Sequence, residues 1–432
     1  MAPGRPRLRR GDLLPDVRIP PPGPRARRLA RRAAAAEPPG IDTLHTGLPV
    51  APWAEARGAN VLDVDGNRYV DLTSGFGAAT VGHRHPRVVA AVRRQSARLL
   101  HGLGDVQAHP ARVALAAALA ARAPLPEARV YFAVSGSDAV EVALATALLA
   151  TGRPGIVAFE GAYHGLSLGA LALNGRAAFR TPFAPLLHGE VRRLPFGCPG
   201  RRLAGLLARD RQIGCLIVEP IQGRQGVRLP PPGWLAEVAA ICRRHGVLLV
   251  VDEILTGGGR TGPLWAVTDE GVVPDLVCCG KALAGGLPLA AVLGRAELLA
   301  AWPRGEALHT ATFLAHPLAC AAALAVLAVL DDPAGQAAAA ELSARLAGAV
   351  ERFGDHPAVA AVRGRGLLWG IALRQPGAAL SWCGRSLAAG VIALPAGPHG
   401  EVLELLPPRV TTPRQLDVAL AALSRSLSLP KE

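Results

Sequence analysis

The sequence predicts an α/β fold in which a large domain with a mixed, mostly parallel sheet is joined to a smaller α+β domain. Between about residues 61 and 330, short apolar runs alternate with longer Ala- and Leu-rich helical stretches. This alternation is typical of a parallel sheet covered by helices. Most of the short runs also end in polar residues, and the pattern changes after Asp331-Asp332-Pro333. We therefore expect an N-terminal leader and joining segment over 1–60, a large domain over 61–330 and a small domain over 331–432.

The strands of the large domain are predicted from β-branched apolar runs bounded by Gly or polar residues. These runs cover residues 130–134, 156–159, 215–218, 247–251, 276–279 and 290–293, with helical stretches such as 139–150 and 235–245 between them. The small domain is predicted to hold a helix over 337–353, strands near 367–373 and 402–406, and a last helix over 413–427. The apolar segment 318–330 is shorter than the ~20 residues that span a bilayer. It is therefore expected to be a buried helix.

The charge distribution argues against nucleic-acid binding as the main function. The chain of 432 residues has a formal charge of +14, but its first 40 residues hold ten arginines against three acidic residues. Half of the excess charge therefore lies in one leader, and only 4% of the residues are aromatic, so few could stack on bases. A basic nucleic-acid binder stays a non-enzymatic alternative, and an Arg-rich transit peptide is a second interpretation of the leader.

The seven cysteines form no CxxC pair and lack the spacing of zinc ligands. Cys278 and Cys279 are adjacent within an apolar run, where we expect them to be small core residues. The first residues contain no apolar stretch of the kind found in a signal peptide. Together these features favour a reducing cytoplasm.

Lysine is almost absent from the chain. Lys281 and Lys431 are the two lysines in the sequence, whereas nearly every other basic position is arginine. Arginine can replace lysine in an ion pair, but its guanidinium does not deprotonate and cannot act as an amine nucleophile. The survival of Lys281 in the middle of the chain, directly after an apolar run, therefore indicates a role for its amine.

Polar residues follow the predicted strands at positions that would share one crevice. In open α/β sheets, ligands bind beyond the carboxyl ends of the strands. A lysine in such a crevice beside a carboxylate favours Schiff-base chemistry. Pyridoxal phosphate (PLP) needs an amine for its aldehyde, an acid for its pyridine nitrogen, a phosphate cup and packing on both ring faces. The strand-end set that could supply them comprises Ser135, Gly136, Ser137, Tyr163, His164, Glu219, Asp252 and Lys281.

Residues 250–294 resemble the PLP-binding signature of the class III aminotransferases, and they read VVDEILTGGGRTGPLWAVTDEGVVPDLVCCGKALAGGLPLAAVLG. Further motifs are similar to that family in the same order: VDGNRYVDLTSGFG, VGHRHP, SGSDAVEVAL, GAYHG, VEPIQG and HTATFLAHPLACAAALAVL. The segment PGPRARRLARR also resembles the start of this family, which favours a structural leader. The resemblance covers most of the chain. It implies the PLP-dependent transferase fold type I and a pyridoxal 5'-phosphate cofactor.

The resemblance also implies roles for individual residues. Lys281 would bind the cofactor aldehyde and move the substrate proton, while Asp252 would pair with the pyridine nitrogen. Backbone groups of Gly136 and Ser137 would hold the phosphate at a helix N-terminus. The resemblance further implies that Ser135 belongs to the phosphate cup and that Tyr163 and Ile254 pack on opposite faces of the cofactor ring. His164 and Glu219 would lie behind these contacts. Thr312 would reach the phosphate from a neighbouring subunit. Phe76 is a candidate for the substrate pocket, with simple core packing as its alternative.

Two positions depart from the family pattern. Leu255 occupies a position where many members carry Gln, whose side chain can bond the cofactor's ring hydroxyl. Many members also have a Glu in the turn after EPIQ and an Arg before the PP of the small domain, but here these positions hold Arg224 and Glu404. We hypothesise a swapped ion pair in which Arg224 binds a substrate carboxylate or Glu404 favours a cationic substrate. The alternative is that both are exposed and unrelated.

The function implied by the resemblance is ping-pong transamination between a small-molecule amine donor and an aldehyde or 2-oxo acid. It further implies a homodimer with shared active sites. A racemase or aminomutase of the same fold is the enzymatic alternative, and a PLP-fold scaffold is a non-enzymatic one. No metal site, nucleic-acid partner or membrane is expected.

Overall fold

The computed structural model describes residues 8–38 and 50–428 and divides the chain into two compact units. One unit comprises Pro86–Asp332. The other combines the described residues up to His85 with those from Pro333 onward. Each unit has its own sheets and its own apolar core, so each is described by itself.

The Pro86–Asp332 unit is built on a seven-stranded sheet with the order β4-β10-β9-β8-β7-β5-β6. Strands β5 to β9 pair in parallel, whereas β10 pairs antiparallel with both β9 and β4. The sheet is therefore mixed and mostly parallel, as the sequence predicts. Its strands are β4 (Ala128–Ala133), β5 (Gly155–Phe159), β6 (Val191–Leu194), β7 (Ile213–Val218), β8 (Leu248–Asp252), β9 (Leu276–Cys279) and β10 (Ala290–Arg295).

Helices cover this sheet. They are α2 (Pro86–Ser96), α3 (Pro110–Ala120), α4 (Gly136–Thr151), α5 (Leu168–Leu173), α6 (Ala177–Arg180), α7 (Gly200–Arg209), α8 (Trp234–His245), α9 (Ala296–Leu299) and α10 (Pro317–Leu330). Helix α4 buries Val140 and Ala143 against Ile217, Val250 and Val292 of the sheet. The apolar helix α10 lies in the interior, which confirms the buried helix expected over 318–330.

The second unit contains two four-stranded sheets, with the orders β1-β2-β3-β13 and β11-β12-β15-β14. Its core packs Trp382 and Leu346 against Ile371 and Leu423. The strands are β1 (Trp53–Arg57), β2 (Asn60–Asp63), β3 (Arg68–Asp71), β11 (Val359–Arg365), β12 (Leu368–Leu373), β13 (Val391–Ile392), β14 (Leu394–Ala396) and β15 (Val402–Leu405), and the helices are α1 (Pro24–Ala36), α11 (Pro333–Glu351), α12 (Ala378–Ala388) and α13 (Pro413–Leu427).

All six strands predicted for the large domain are present, with ends shifted by at most two residues. The strand over 276–279 and the helix over 413–427 begin and end where the sequence places them. The leader segment PGPRARRLARR supplies most of α1. Strand β6 was not predicted, because its sequence VRRL lacks a continuous apolar run. Among the described residues, no single helix is long and apolar enough to cross a bilayer, although the bent pair Pro317–Leu330 and Pro333–Asp355 passes by length and composition.

The start of α13 shows how the second unit ties its segments together. The Thr412 hydroxyl accepts a hydrogen bond from the Gln415 backbone N–H at 3.2 Å, and the Gln415 side chain accepts one from the Thr412 N–H at 3.1 Å. This reciprocal arrangement is a capping box. The Gln415 amide also donates to the carbonyls of Gly11 and Leu13. The cap therefore fixes the N-terminal segment as well as the helix.

We predict that Thr412→Ala lowers the free energy of unfolding by about 1 kcal/mol, because it removes an N-cap acceptor. Urea denaturation followed by circular dichroism measures this change. Thr412→Ser is the matched control, since its hydroxyl can still cap the helix, and it should differ little from the wild type. Equal stability of the Ala and Ser variants would show that the cap contributes nothing.

Candidate functional site

The carboxyl ends of β4, β5, β7, β8 and β9 lie at one edge of the seven-stranded sheet, because these strands all run in the same direction. Each of these strands is followed by residues that the sequence analysis singled out. A crevice beyond the carboxyl ends is the usual ligand site in such sheets. The site at this edge is built from residues of the Pro86–Asp332 unit.

Asp252 is the last residue of β8 and is buried, with 4% of its surface exposed. One carboxylate oxygen accepts a hydrogen bond from the Ile254 backbone N–H at 3.0 Å. The other lies 2.7 Å from Nδ1 of His164, whose side chain is fully buried. Burying a carboxylate is costly unless it has such hydrogen-bond partners. The arrangement thus fixes the position of the Asp252 carboxylate in the crevice.

The loop after β5 fixes His164 from both sides. Its backbone N–H donates to the Asn174 side-chain oxygen at 2.9 Å, and the Asn174 amide donates to the Gly165 carbonyl at 2.8 Å. Burial lowers the pKa of His164, but the hydrogen bond and charge of Asp252 outweigh it, so the pKa of His164 is raised. The hydrogen bond to Asp252 therefore favours the protonated form of the imidazole. Its Nε2 atom is buried and makes no hydrogen bond to the described residues.

Glu219 follows β7 and is buried in the same crevice. Its carboxylate accepts a hydrogen bond from the Tyr163 backbone N–H at 3.0 Å. Burial raises the pKa of Glu219 to about 7, and the charge of Asp252 adds to this, whereas the charges of His164 and Lys281 act against it. Glu219 can consequently gain or lose a proton near neutral pH.

Lys281 begins a short 3-10 turn, Lys281–Ala284, directly after Gly280 and strand β9. Its backbone φ is +38°, in the left-handed region that residues other than glycine seldom adopt. Such strain is characteristic of functional positions that the surrounding fold holds in place. The tight turn brings the lysine back towards the crevice, where its charge acts on Glu219.

The N-terminus of α4 provides an anion-binding surface in the crevice. The Ser135 hydroxyl caps this helix by accepting from the Asp138 N–H at 3.1 Å. A Cβ atom added at Gly136 would lie 3.1 Å from the Ile254 side chain, so glycine permits a close approach there. The Ser137 hydroxyl accepts from the Leu166 N–H at 2.9 Å, which joins the helix to the His164 loop.

Tyr163 and Arg224 form the side of the site next to the His164 loop. The Arg224 guanidinium carbon lies 5.7 Å from the centroid of the Tyr163 ring, a distance that permits a cation–π interaction. Burial raises the pKa of the Tyr163 hydroxyl, although the positive charge of Arg224 acts to lower it. Arg176 holds the Arg224 turn, because its guanidinium donates to the Arg224 carbonyl and to the Gln225 side chain.

The fold brings most of the sequence-predicted residues together but not all of them. Tyr163, His164, Glu219, Asp252 and Lys281 are linked by hydrogen bonds or charge, while Ile254 lies against the start of α4. Phe76 and Glu404 belong to the other unit, where Phe76 is 47% exposed and Glu404 is buried on β15. Thr312 is exposed after β10, and the half-buried Leu255 carries no polar group. Since Glu404 is buried, the alternative of two exposed charges at 224 and 404 is wrong.

Sequence reasoning missed several residues that support the site. Asn174 and Arg176 hold the two loops described above, and the His309 ring lies 2.7 Å from the Asp138 carboxylate near the start of α4. Glu253, which the sequence places beside Asp252 at the end of β8 but to which it assigns no role, is also buried, and it accepts hydrogen bonds from the Thr256 hydroxyl and the Val267 N–H. No local sequence pattern indicates these contacts, because each partner lies elsewhere in the chain or has a common residue type.

The residues of the crevice fit the PLP cofactor that the resemblance implies. The structure provides a lysine on a strained turn, a buried carboxylate hydrogen-bonded to a buried histidine, and a helix N-terminus whose first residue lacks a side chain. These match the amine, the pyridine-nitrogen partner and the phosphate cup that PLP requires.

Comparison with known proteins gives a consistent result. Residues 45–427 match the family model described as "Aminotransferase class-III". The chain is 39% identical to the acetylornithine aminotransferase of Methanopyrus kandleri over 86% of this chain and 92% of that protein. It is 36% identical to the 4-aminobutyrate aminotransferase of Mycobacterium leprae over 94% and 96% of the two chains. Among solved structures, the ornithine aminotransferase of Toxoplasma gondii superposes with a TM-score of 0.84 at 28% identity, covering 93% and 94%.

A PLP-bound amine transaminase from an uncultivated Pseudomonas species is also similar, with a TM-score of 0.83 at 29% identity over 91% of this chain and 99% of that chain. The agreement extends over nearly the whole length of each protein. The likeness therefore concerns the entire architecture and not a single motif.

The buried carboxyl of Glu253 generates a pH prediction. Burial raises the pKa of Glu253 from its ordinary value of 4.5 to about 7. The folded state then retains a proton that the unfolded state has released, so stability falls as pH rises from 4.5 to 7. In cofactor-free protein we therefore expect the free energy of unfolding to fall over this pH range by about 3 kcal/mol more in the wild type than in Glu253→Gln.

Urea denaturation at a series of pH values between 4.5 and 8 measures the effect. The exposed residue Glu341 supplies the control variant Glu341→Gln, which should follow the wild-type pH profile. If Glu253→Gln and wild type lose stability in parallel over this range, the carboxyl titrates at an ordinary pKa.

Proposed function

Because this chain belongs to the class-III aminotransferases and is therefore a PLP-dependent transaminase, we propose that Lys281 holds its cofactor and that Asp252 keeps the cofactor ring protonated. The observation that supports this most directly is the placement of the two residues. They lie at the ends of adjacent strands, β8 and β9, with the Asp252 carboxylate locked by His164. PLP, when bound, supplies an electron sink for the substrate carbon that loses its proton.

The protein's own residues supply binding and proton transfer. The Lys281 amine takes the substrate proton and returns it, and the crevice lowers the cost of its neutral form by limiting access to water. The Asp252 carboxylate, held in place by His164, would pair with the ring nitrogen. Glu219 holds the Tyr163 backbone, which keeps the aromatic ring in position to stack on one face of the cofactor.

The first N–H groups of α4, at Gly136 and Ser137, would hold the cofactor phosphate with the helix dipole behind them. Ser135 caps the same helix, and Ile254 would pack on the ring face opposite Tyr163. Thr312 is exposed on its own chain, so its proposed phosphate contact would be made to the site of a second copy.

We propose that the enzyme is a homodimer in which such contacts are shared. The segment before α3 and the segment around residue 310 expose large apolar side chains in the Pro86–Asp332 unit. A cluster of this kind on a soluble-type fold marks a protein interface. Its members are Leu100, Leu103, Val106, Leu308 and Phe313, each at least 58% exposed. A cytoplasmic location is proposed on the seven cysteines, which are all free and buried.

The reaction moves an amino group between a small-molecule donor and a keto acid acceptor. For the finer specificity we propose that Arg224 binds a substrate carboxylate. Its half-buried guanidinium lies over Tyr163 at the side of the crevice, and Arg176 fixes the turn that carries it. Guanidinium groups bind carboxylates with paired, charge-assisted hydrogen bonds. The second candidate, a cationic substrate recognised by Glu404, has support in the burial of that carboxylate.

The role of Lys281 predicts that Lys281→Ala protein has no visible absorption band from a covalently bound cofactor. It should yield no labelled peptide after borohydride reduction and should lose amino transfer by at least about 10³-fold, as expected on removal of a catalytic base. Lys431→Ala, which removes the other lysine of the chain, is the control and should keep both properties. Retention of the band in Lys281→Ala would contradict the assignment.

The role of Arg224 predicts that Arg224→Ala raises KM for donors with a carboxylate by about 10-fold or more, the effect of losing one charge-assisted contact. The kcat should change little, and KM for amines without a carboxylate should stay the same. Steady-state kinetics with both donor classes provide the measurement.

The matched control is Arg228→Ala, since Arg228 is an exposed arginine on the same segment. Unchanged KM for carboxylate donors in Arg224→Ala, together with a loss of activity towards cationic amines in Glu404→Ala, would favour the second candidate.

A further inference from the structure

Helix α7 and strand β6 enclose a strongly cationic groove on the Pro86–Asp332 unit. The groove has a volume of about 690 Å³. Arginines from both elements line it, and an apolar strip of Leu194, Pro195 and Leu206 forms part of its wall. Below, "the arginine groove" means the site lined by Arg193, Arg201, Arg202 and Arg209.

The charge of the arginine groove is not neutralised by the described part of the chain. None of the ion pairs among the described residues includes any of its four arginines. Glu160 lies at the rim without pairing with them. In contrast, the neighbouring Arg192 is paired with Glu190 at 3.0 Å and Asp210 at 2.9 Å. The carboxylates of Glu190 and Asp210 are thus already engaged by Arg192 outside the groove.

Arg193 adds a desolvated positive charge at the side of the groove. Its guanidinium donates to the Ala172 carbonyl, while its Nε atom is buried and has no hydrogen-bond partner among the described residues. Burial lowers the pKa of Arg193, and the charge of Arg180 lowers it further. A cation that lacks water and lies near another cation gains stability from a bound anion.

The helix itself does not explain these arginines. Arg201 and Arg202 occupy the first turn of α7, which holds no acidic residue. Positive charge at a helix N-terminus opposes the helix dipole. The Glu237 carboxylate meets the first residue of α7, since a Cβ atom added at Gly200 would lie 2.2 Å from it, but Glu237 does not line the groove. Gly205 lies one turn further along, and Arg209 folds back across it, since a Cβ atom there would lie 3.8 Å from both Arg209 Nη atoms. The Arg209 guanidinium therefore lies beside a residue of α7 that has no side chain.

We propose that the arginine groove is a binding site for a small organic phosphate that carries two or more phosphate groups. Guanidinium groups bind phosphate oxygens in pairs, and several of them around one cavity match a multiply charged ligand. The groove has the size of a small-molecule pocket. It presents aliphatic side chains and no aromatic ring among its lining residues, so it favours a compact ligand over a polynucleotide whose bases need stacking.

Calorimetric titration of the cofactor-saturated enzyme tests the proposal, with inorganic tripolyphosphate as the probe and pyrophosphate and inorganic phosphate as shorter comparisons. Saturation with cofactor keeps the helix α4 site filled. We expect tripolyphosphate to bind more tightly than inorganic phosphate, and Arg201→Gln/Arg202→Gln to weaken binding by at least about 10-fold. Affinity should also fall as salt is raised.

Arg243→Gln/Arg244→Gln is the matched control, because these two adjacent, exposed arginines end helix α8 and do not line the groove. It should bind tripolyphosphate within about 2-fold of wild type, the range of a long-range charge effect screened by salt. The groove variant should keep its melting temperature, since it relieves unfavourable charge at a helix start, and should keep its transaminase activity. Arg209→Gln, at the other end of the groove, provides a second variant.

Three outcomes would overturn the proposal: no tripolyphosphate binding at millimolar concentration, equal loss in the groove and control variants, or tighter groove-dependent binding of a single-stranded RNA oligomer than of tripolyphosphate. The first two would leave ordinary surface charge as the explanation. The third would replace the small phosphate with a nucleic acid. None of them bears on the assignment of Lys281, which the transaminase assay reports separately.

Discussion

The Asp252–His164 pair is the interaction on which the rest of the site depends. A carboxylate at the end of a central strand is removed from water, and burying it without partners would destabilise the sheet. The 2.7 Å contact with a buried imidazole and the bond from the Ile254 N–H supply those partners. His164 can serve only because Asn174 fixes its loop. A buried carboxylate in the interior thus requires contributions from β5, β8 and the loop before α6.

Several ionisable groups share this interior, and their environments separate their chemistry. Burial raises the pKa values of Glu219 and Glu253 to about 7, whereas the hydrogen bond and charge of Asp252 raise the pKa of His164. Glu219 and Glu253 are thus neutral at mildly acidic pH because burial dominates their environments. The fold therefore places the hydrogen-bonded Asp252–His164 pair beside carboxyl groups that can exchange protons near neutral pH. The strained backbone of Lys281 also depends on its surroundings, since a residue other than glycine keeps a left-handed conformation only where the surrounding structure holds it.

The sequence predicts the scaffold and the chemistry of the crevice better than it predicts their support. Buried strands are recognisable in the sequence as apolar runs. Polar residues at the carboxyl ends of parallel strands lie at one edge of the sheet, so the sequence predicts that Asp252, Glu219 and Lys281 lie close together. Strand β6 was not predicted, because this edge strand contains two arginines and has no continuous apolar run. The contacts of Asn174, Arg176 and His309 were not predicted either, because side-chain pairing between loops depends on tertiary packing, which local sequence patterns do not indicate. Phe76, Glu404 and Thr312 are foreseen only through the family resemblance, and their roles stay proposals.

The near absence of lysine gains a physical meaning from this site. An aldehyde cofactor reacts with any accessible amine, so each surface lysine competes with the functional one for it. A chain that uses arginine for almost all its ion pairs and surface charge keeps those interactions while removing most competing amines, since a guanidinium stays protonated. The same substitution enriches the surface in groups that bind carboxylates and phosphates in pairs. Arg224 beside Tyr163 and the arginine groove on α7 are two local consequences of that bias, one next to the crevice and one remote from it. Composition alone gives the excess positive charge, and only the pairing of each arginine in the fold shows where that charge is left available to a ligand.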